Sequence, residues 1–173
     1  NNGAAQVVER EGGEAVVPDL MDFVLYSFYD RVYNYRHLSG SWRDSASSLM
    51  SIAFLEYCRW SMRRSLSRSK RFTAPLRFRE LRKKARGLIS LGHQAGEGWL
   101  LAAEMVELLE SGVSNILCMQ PFGCLPNHMT GKGLLKELKR RYPEANIAAV
   151  DYDPGASEVN QINRIKLMMS VAR

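Results

Sequence analysis

With 173 residues, 46% hydrophobic and 24% charged, the chain has the size and composition of one globular domain able to bury a core, which excludes wholesale disorder and low-complexity architectures. No apolar run approaches the ~20 residues that span a bilayer, and the polar start Asn1-Asn2-Gly3 lacks the flank and apolar core of a secretion signal. The formal charge of +6 is unevenly spread. Residues 59–86 hold 12 of the 24 bases and one of the 18 acids, so the remainder carries twelve bases against seventeen acids, a net of −5.

In chain order, a short helical stretch leads to Gly12-Gly13 and a β-like run, Ala15-Val16-Val17. Pro18 ends that run and Asp19 is placed to cap the next helix. From Leu20 to about Tyr35 apolar and aromatic residues are dense enough for a helix buried on most sides. Ser39-Gly40-Ser41 reads as a loop. Asp44 is placed to cap a second helix whose Leu49, Met50, Ala53, Phe54, Tyr57 and Trp60 recur at helical spacing. After Pro75 a third helix aligns Phe78, Leu81, Ala85 and Leu88, leaves Arg79, Arg82, Lys83 and Arg86 largely outside that stripe, and meets a natural terminator in Gly92.

The last 77 residues alternate helices and strands. A helix over Trp99–Glu110 ends at Gly112 and precedes a strand over Val113–Met119. A loop with Pro121 and Pro126 then leads to a helix over Leu134–Arg141 and a strand over Ile147–Asp151. The turn Asp153-Pro154-Gly155 and a helix from Ser157 to Ala172 complete the series. This alternation predicts an α/β fold: a Rossmann-like parallel sheet with flanking helices, in a single domain over 1–173, with residues 44–91 as a helical basic insertion.

Ligands of open parallel sheets bind beyond the carboxyl ends of the strands, which points to two loops. The first, Gln120 to His128 (QPFGCLPNH), holds Cys124 beside Phe122, Gly123, Asn127 and His128. The Cys124 thiolate is either a soft ligand for iron or zinc or a small apolar residue in a rigid turn, and the residue type alone favours the turn. Cys118 fits the strand core, and Cys58 has no visible partner. Three cysteines without paired spacing argue against a disulfide framework, and a reducing cytoplasm fits them best. His128 serves equally as ligand, acid/base or loop hydrogen-bonding group. Gly131, Lys132 and Gly133 open a helix where free amide donors suit an anion, without the full phosphate-loop pattern. In the second loop, Asp151 and Asp153 suit either a turn or a magnesium or ribose contact. Glu97, before Trp99, faces either a helix end or a ligand.

Four segments, GEGWLLAAEM (Gly96 to Met105), QPFGCLPNH, GKGLLKELKRRYPEANI (Gly131 to Ile147) and DYDPGASEVNQINRIKLMM (Asp151 to Met169), resemble the C-terminal dehydratase-like region of the activase-related proteins of the 2-hydroxyacyl-CoA dehydratase system. EAVVPDLMDFVLYSFY (Glu14 to Tyr29) is similar to that family as well. The resemblance implies a part in an electron-transfer site that serves acyl-CoA dehydration. Cys124 would be one ligand of a 4Fe-4S cluster whose other ligands lie outside this chain, and Phe122, Gly123, Asn127, His128, Glu97 and Trp99 would form its loop shell. The expected partners are the remainder of a parent protein or a dehydratase component, with an acyl-CoA as the associated substrate. The start of the chain, after an expected first strand, suggests a piece of a longer protein with no activity alone. The competing reading is a non-catalytic module whose basic segment binds an acidic partner, with nucleic acid the less favoured target.

Overall fold

The computed structural model describes residues 3–152, 155 and 157–172. Among them the chain forms α1 (Ala4–Arg10), α2 (Leu20–His37), α3 (Trp42–Leu66), α4 (Phe78–Arg86), α5 (Gly98–Glu110), β1 (Asn115–Pro121), α6 (Leu135–Arg141), β2 (Asn146–Tyr152) and α7 (Glu158–Val171). A π-helical turn (Asn127–Gly131) and a 3-10 turn (Lys132–Leu134) lead into α6. The fold is a helix-rich α/β arrangement around a two-stranded parallel sheet, with β1 and β2 paired from Asn115 opposite Asn146 to Pro121 opposite Tyr152.

The strands are joined by a crossover through α6, as a parallel pair requires. Alternation along β1 sends Ile116 and Cys118 to one face, where they pack with Met105, Val106 and Leu109 of α5 and Leu138 of α6. Leu117 and Met119 join the other face with α1 and α7. Helix α5 is apolar nearly all round because it serves two cores: its first half, Trp99, Leu100 and Ala103, belongs to a cluster with Leu25, Tyr26, Tyr29, Phe78 and Leu81. The basic stretch of residues 44–91 therefore shares a core with α2 and α5. Asp19 caps α2 as expected, its carboxylate accepting from the Met21 amide at 3.0 Å.

Several expectations are corrected. Ala15-Val16-Val17 is not a strand: among the described residues no ladder partner pairs with it, and Val16 and Val17 are exposed. Helix α2 buries one face only, leaving Leu20, Phe23, Val24 and Tyr35 in solvent. Ser41, not Asp44, is the N-cap of α3, and Asp44 sits in the first turn, where the helix dipole favours its charge. Helix α4 stops at Arg86 with Gly87 as its C-cap, well before Gly92. Strand β1 begins two residues late because the Val113 amide is engaged at 2.9 Å by the Leu108 carbonyl, closing α5 as a Schellman motif with Gly112 at φ +93°. Asp153 and Pro154 of the expected turn lie outside the described residues.

The largest departure is on α3. Its expected core stripe faces outward: Met50, Phe54 and Tyr57 are 69%, 65% and 74% exposed, and Leu49 and Trp60 are exposed with them. The face against α2 carries Ser45, Ser48, Ile52, Leu55 and Arg59 instead. Serine lets two helices approach closely, and Arg59 reaches acids at the start of α2. No helix among the described residues is long and apolar enough to cross a membrane.

Candidate functional site

The carboxyl ends of β1 and β2 gather side chains from segments distant in sequence. In the strand register Gln120 lies opposite Asp151, and its amide donates to the Asp151 carboxylate. Lys132 Nζ reaches the same carboxylate at 3.0 and 3.1 Å, while the Asp151 carbonyl accepts from Gln161 Nε2 of α7 at 3.1 Å. The Gln120 amide and the Lys132 ammonium hold the Asp151 carboxyl below its ordinary value. Lys132 is thus matched to an internal carboxylate, and an external anion would have to compete with it.

Glycines 131 and 133 are explained by space. A Cβ on Gly131 would stand 3.0 Å from Cys118 Sγ and 3.2 Å from Leu101 of α5, and one on Gly133 would stand 3.2 Å from the His128 carbonyl. The stretch is wound into the π and 3-10 turns, so it is not the open helix start with free donors that the sequence suggests. Gly96 touches the same turn from the other side, where its Cβ would come within 2.9 Å of Pro126 Cγ.

Cys124 is half-buried in the loop after β1, its amide bonded to the Pro121 carbonyl at 3.2 Å and Gly123 before it at φ +68°. Its carbonyl accepts from the His128 amide at 3.0 Å and lies 2.9 Å from His128 Nδ1. A carbonyl only accepts, so in this contact Nδ1 is the donor. His128 is exposed. Phe122 (76% exposed), Leu125 and Met129 surround the loop with apolar side chains in solvent. Asn127 is buried, its amide 3.5 Å from the Met119 carbonyl, and holds the loop to the strand end.

Two expected shell residues part company here. Glu97 is exposed at the start of α5. Trp99 is 0% exposed and points away into the helical core, edge-on to Tyr26 with centroids 5.2 Å apart. Cys118 is core, and burial pushes its thiol up. Among the described residues no group of three or more His, Cys, Asp or Glu side chains is arranged to hold a metal ion. Cys124 therefore offers one ligand and not a cluster site.

Sequence reading missed Lys132–Asp151, whose members are 19 residues apart, and it missed Glu104. This acid interrupts the apolar face of α5, and that interruption was the available signal. Burial pushes the Glu104 carboxyl up to about 8, with Asp22, Glu97, Glu107 and Asp19 adding in the same direction. A carboxyl raised on folding favours the native state below its unfolded pKa, and that advantage is lost as pH rises through the folded value. Stability should therefore fall between about pH 4.5 and 8, by at most about 1.4 kcal/mol per pH unit from this group. Urea unfolding at pH 5.5, 7 and 8.5 should show that slope, and Glu104→Gln should flatten it and stabilise the protein at pH 8.5. An unchanged slope would mean that Glu104 is ionised in the native state.

Comparison with protein families, with curated proteins and with solved structures returns no match to this chain.

Proposed function

We propose that the chain is a Rossmann-like, dehydratase-like module of an activase-related protein of the 2-hydroxyacyl-CoA dehydratase system, presenting Cys124 as one ligand of a 4Fe-4S electron-transfer site. The observation that carries this reading is a convergence. The segments that resemble the family meet at one end of the sheet: Gly96 against Pro126, Gly131 against Leu101, and Lys132 on Asp151. The half-buried Cys124 and the exposed apolar rim of Phe122, Leu125 and Met129 suit a loop covered by further polypeptide. A cubane normally takes four thiolates, so three ligands come from outside residues 1–173 and no redox step is assigned to this chain alone.

Small thiols can supply the missing ligands in a test. After anaerobic reconstitution with iron, sulfide and excess glutathione, followed by desalting, the wild type should retain broad visible absorption. Cys58→Ser should retain it as well, and Cys124→Ser should lose most of it. Equal spectra for all three would remove Cys124 from the site.

A second reading, docking of an acidic partner on α3, is favoured by the exposed band of Met50, Phe54 and Tyr57. Eight of the twelve bases in residues 59–86 are exposed beyond it: Arg64, Arg68, Lys70, Arg71, Arg77, Arg79, Lys83 and Arg86. The occupant is an acidic amphipathic helix, whose apolar face meets the band and whose carboxylates meet the arginines. A labelled acidic amphipathic peptide should bind, and Phe54→Asp with Tyr57→Asp should weaken it at least about tenfold, or 1.4 kcal/mol. Binding of a single-stranded oligonucleotide with a steep salt slope, indifferent to those substitutions, would assign the surface to nucleic acid instead.

A further inference from the structure

On the side of β1 away from β2 lies a cleft of about 750 Å³, bounded by every residue from Val113 to Met119 and, across the gap, by the irregular stretch 13–18. Consecutive strand residues can all line one cavity only if the cavity runs along the backbone edge. Among the described residues that edge is unpaired. The Asn146 amide bonds the Ser114 carbonyl at 2.9 Å, so the two-residue period of a parallel ladder turns the backbone groups of Ile116, Cys118 and Gln120 toward β2. The amides and carbonyls of Asn115 and Leu117 and the amide of Met119 point into the cleft. Among the described residues none bonds to the backbone of residues 13–18.

The cleft is also layered like the sheet beside it. Leu101, Met105 and Leu108 of α5 line one side, and Val8 of α1 with Met168 and Met169 of α7 line the other. A backbone edge flanked by apolar surfaces on both faces suits an extended chain with apolar side chains on both of its own faces. The charges narrow the chemistry further. Glu11, Glu14 and Glu97 line the cleft beside Glu104, whose raised carboxyl is mostly protonated at neutral pH, and no Lys or Arg does so among the described residues. Glu11 pairs with Lys166 at 3.5 Å, while the other three have no ion-pair partner among the described residues.

We propose that this cleft takes an extended apolar peptide strand bearing basic residues, supplied by polypeptide outside residues 1–173, which pairs with the free edge of β1 as the third strand of the sheet. The strand satisfies the outward amides and carbonyls of β1, covers Leu101 and Met169, and brings its cations to Glu14 and Glu97. This site is separate from the Cys124 loop and does not depend on the cluster reading.

The probe is acetyl-Lys-Val-Ile-Val-Thr-Val-Lys-amide, titrated into the 15N-labelled chain with amide exchange as the readout. At saturation the Asn115, Leu117 and Met119 amides should exchange at least about tenfold more slowly, while Ile116 and Cys118, already bonded to β2, should not change. The same peptide with alternate amides N-methylated should give no protection, and a version with Glu at both ends should bind at least about tenfold more weakly. Leu117→Pro removes an outward amide without touching the β1–β2 ladder and should abolish the effect; should it not fold, the N-methylated peptide makes the same test. Absence of binding at millimolar peptide, or binding that leaves those three amides unprotected, would overturn the proposal. A concentration-dependent dimer that protects the same amides without peptide would assign the edge to a second copy and overturn it as well.

Discussion

Arg59→Ala should destabilise the protein by about 3–5 kcal/mol, measured as a fall in the urea midpoint without a change in slope. The Arg59 side chain is 5% exposed, with Nη1 2.8 Å from Asp22 and Nη2 2.8 Å from Asp19, and Glu56 at 3.4 Å. Asp22 is buried as deeply. Burial pushes its carboxyl up, and Arg59 is the main influence pulling it back. Without the guanidinium, Asp22 must either stay charged without its ion-pair partner or take up a proton, so the penalty should be smaller at pH 5 than at pH 8. Replacing both partners, Arg59→Met with Asp22→Leu, should recover most of the loss, because apolar groups of similar volume carry no desolvation cost. A loss below about 1 kcal/mol for Arg59→Ala would mean that the cluster is open to water, despite its burial in the structure. Asp19 should still cap α2, since the Met21 amide bonds its other carboxylate oxygen.

That cluster also explains why the outward face of α3 looks like a core stripe in the sequence. Leu49, Met50, Phe54 and Tyr57 repeat as a core stripe would, and the periodicity is real, but periodicity states which residues share a face and not which face is covered. Close packing of α2 on α3 is carried by Ser45 and Ser48, two small polar residues, with Arg59 bonded to acids 37 and 40 positions away. Nothing local in the chain announces such distant partners. Segments governed by local chemistry are legible: the Asp19 cap, the span of α5, α6 to within one residue, and β2 to within one residue at either end. The loop rich in glycine and proline after β1 does stand at a strand end, yet its Lys132–Asp151 pair depends on strand register, which exists only once β1 and β2 are aligned. Trp99 is close to Glu97 in sequence, yet its side chain does not share the surroundings of Glu97. Gly98 between them has φ +47°, which breaks the right-handed winding, so the Glu97 side chain goes to solvent and the Trp99 side chain into the core.

The same joint supplies the other large expected effect. Gly98, between exposed Glu97 and buried Trp99, has φ +47°, and a Cβ there would stand 2.0 Å from the His93 carbonyl oxygen and 2.5 Å from the Tyr26 hydroxyl. The first neighbour is backbone, and that carbonyl also accepts the Trp99 amide at 2.8 Å, so it cannot withdraw without releasing the start of α5. Gly98→Ala combines left-handed strain of about 1–3 kcal/mol with an overpacking cost of about 1–3 kcal/mol, for a loss of roughly 3 kcal/mol or more. Gly112→Ala separates the two contributions: Gly112 has φ +93°, but nothing lies within 4 Å of its Cβ position, so only the conformational strain should appear. Adding Tyr26→Phe to Gly98→Ala should recover little, because the closer obstacle is the carbonyl. If Gly98→Ala and Gly112→Ala lost the same stability, the His93 carbonyl would have to yield freely. The start of α5 would then be a loose joint, unable to hold Gly96 against Pro126 or to position the loop that carries Cys124.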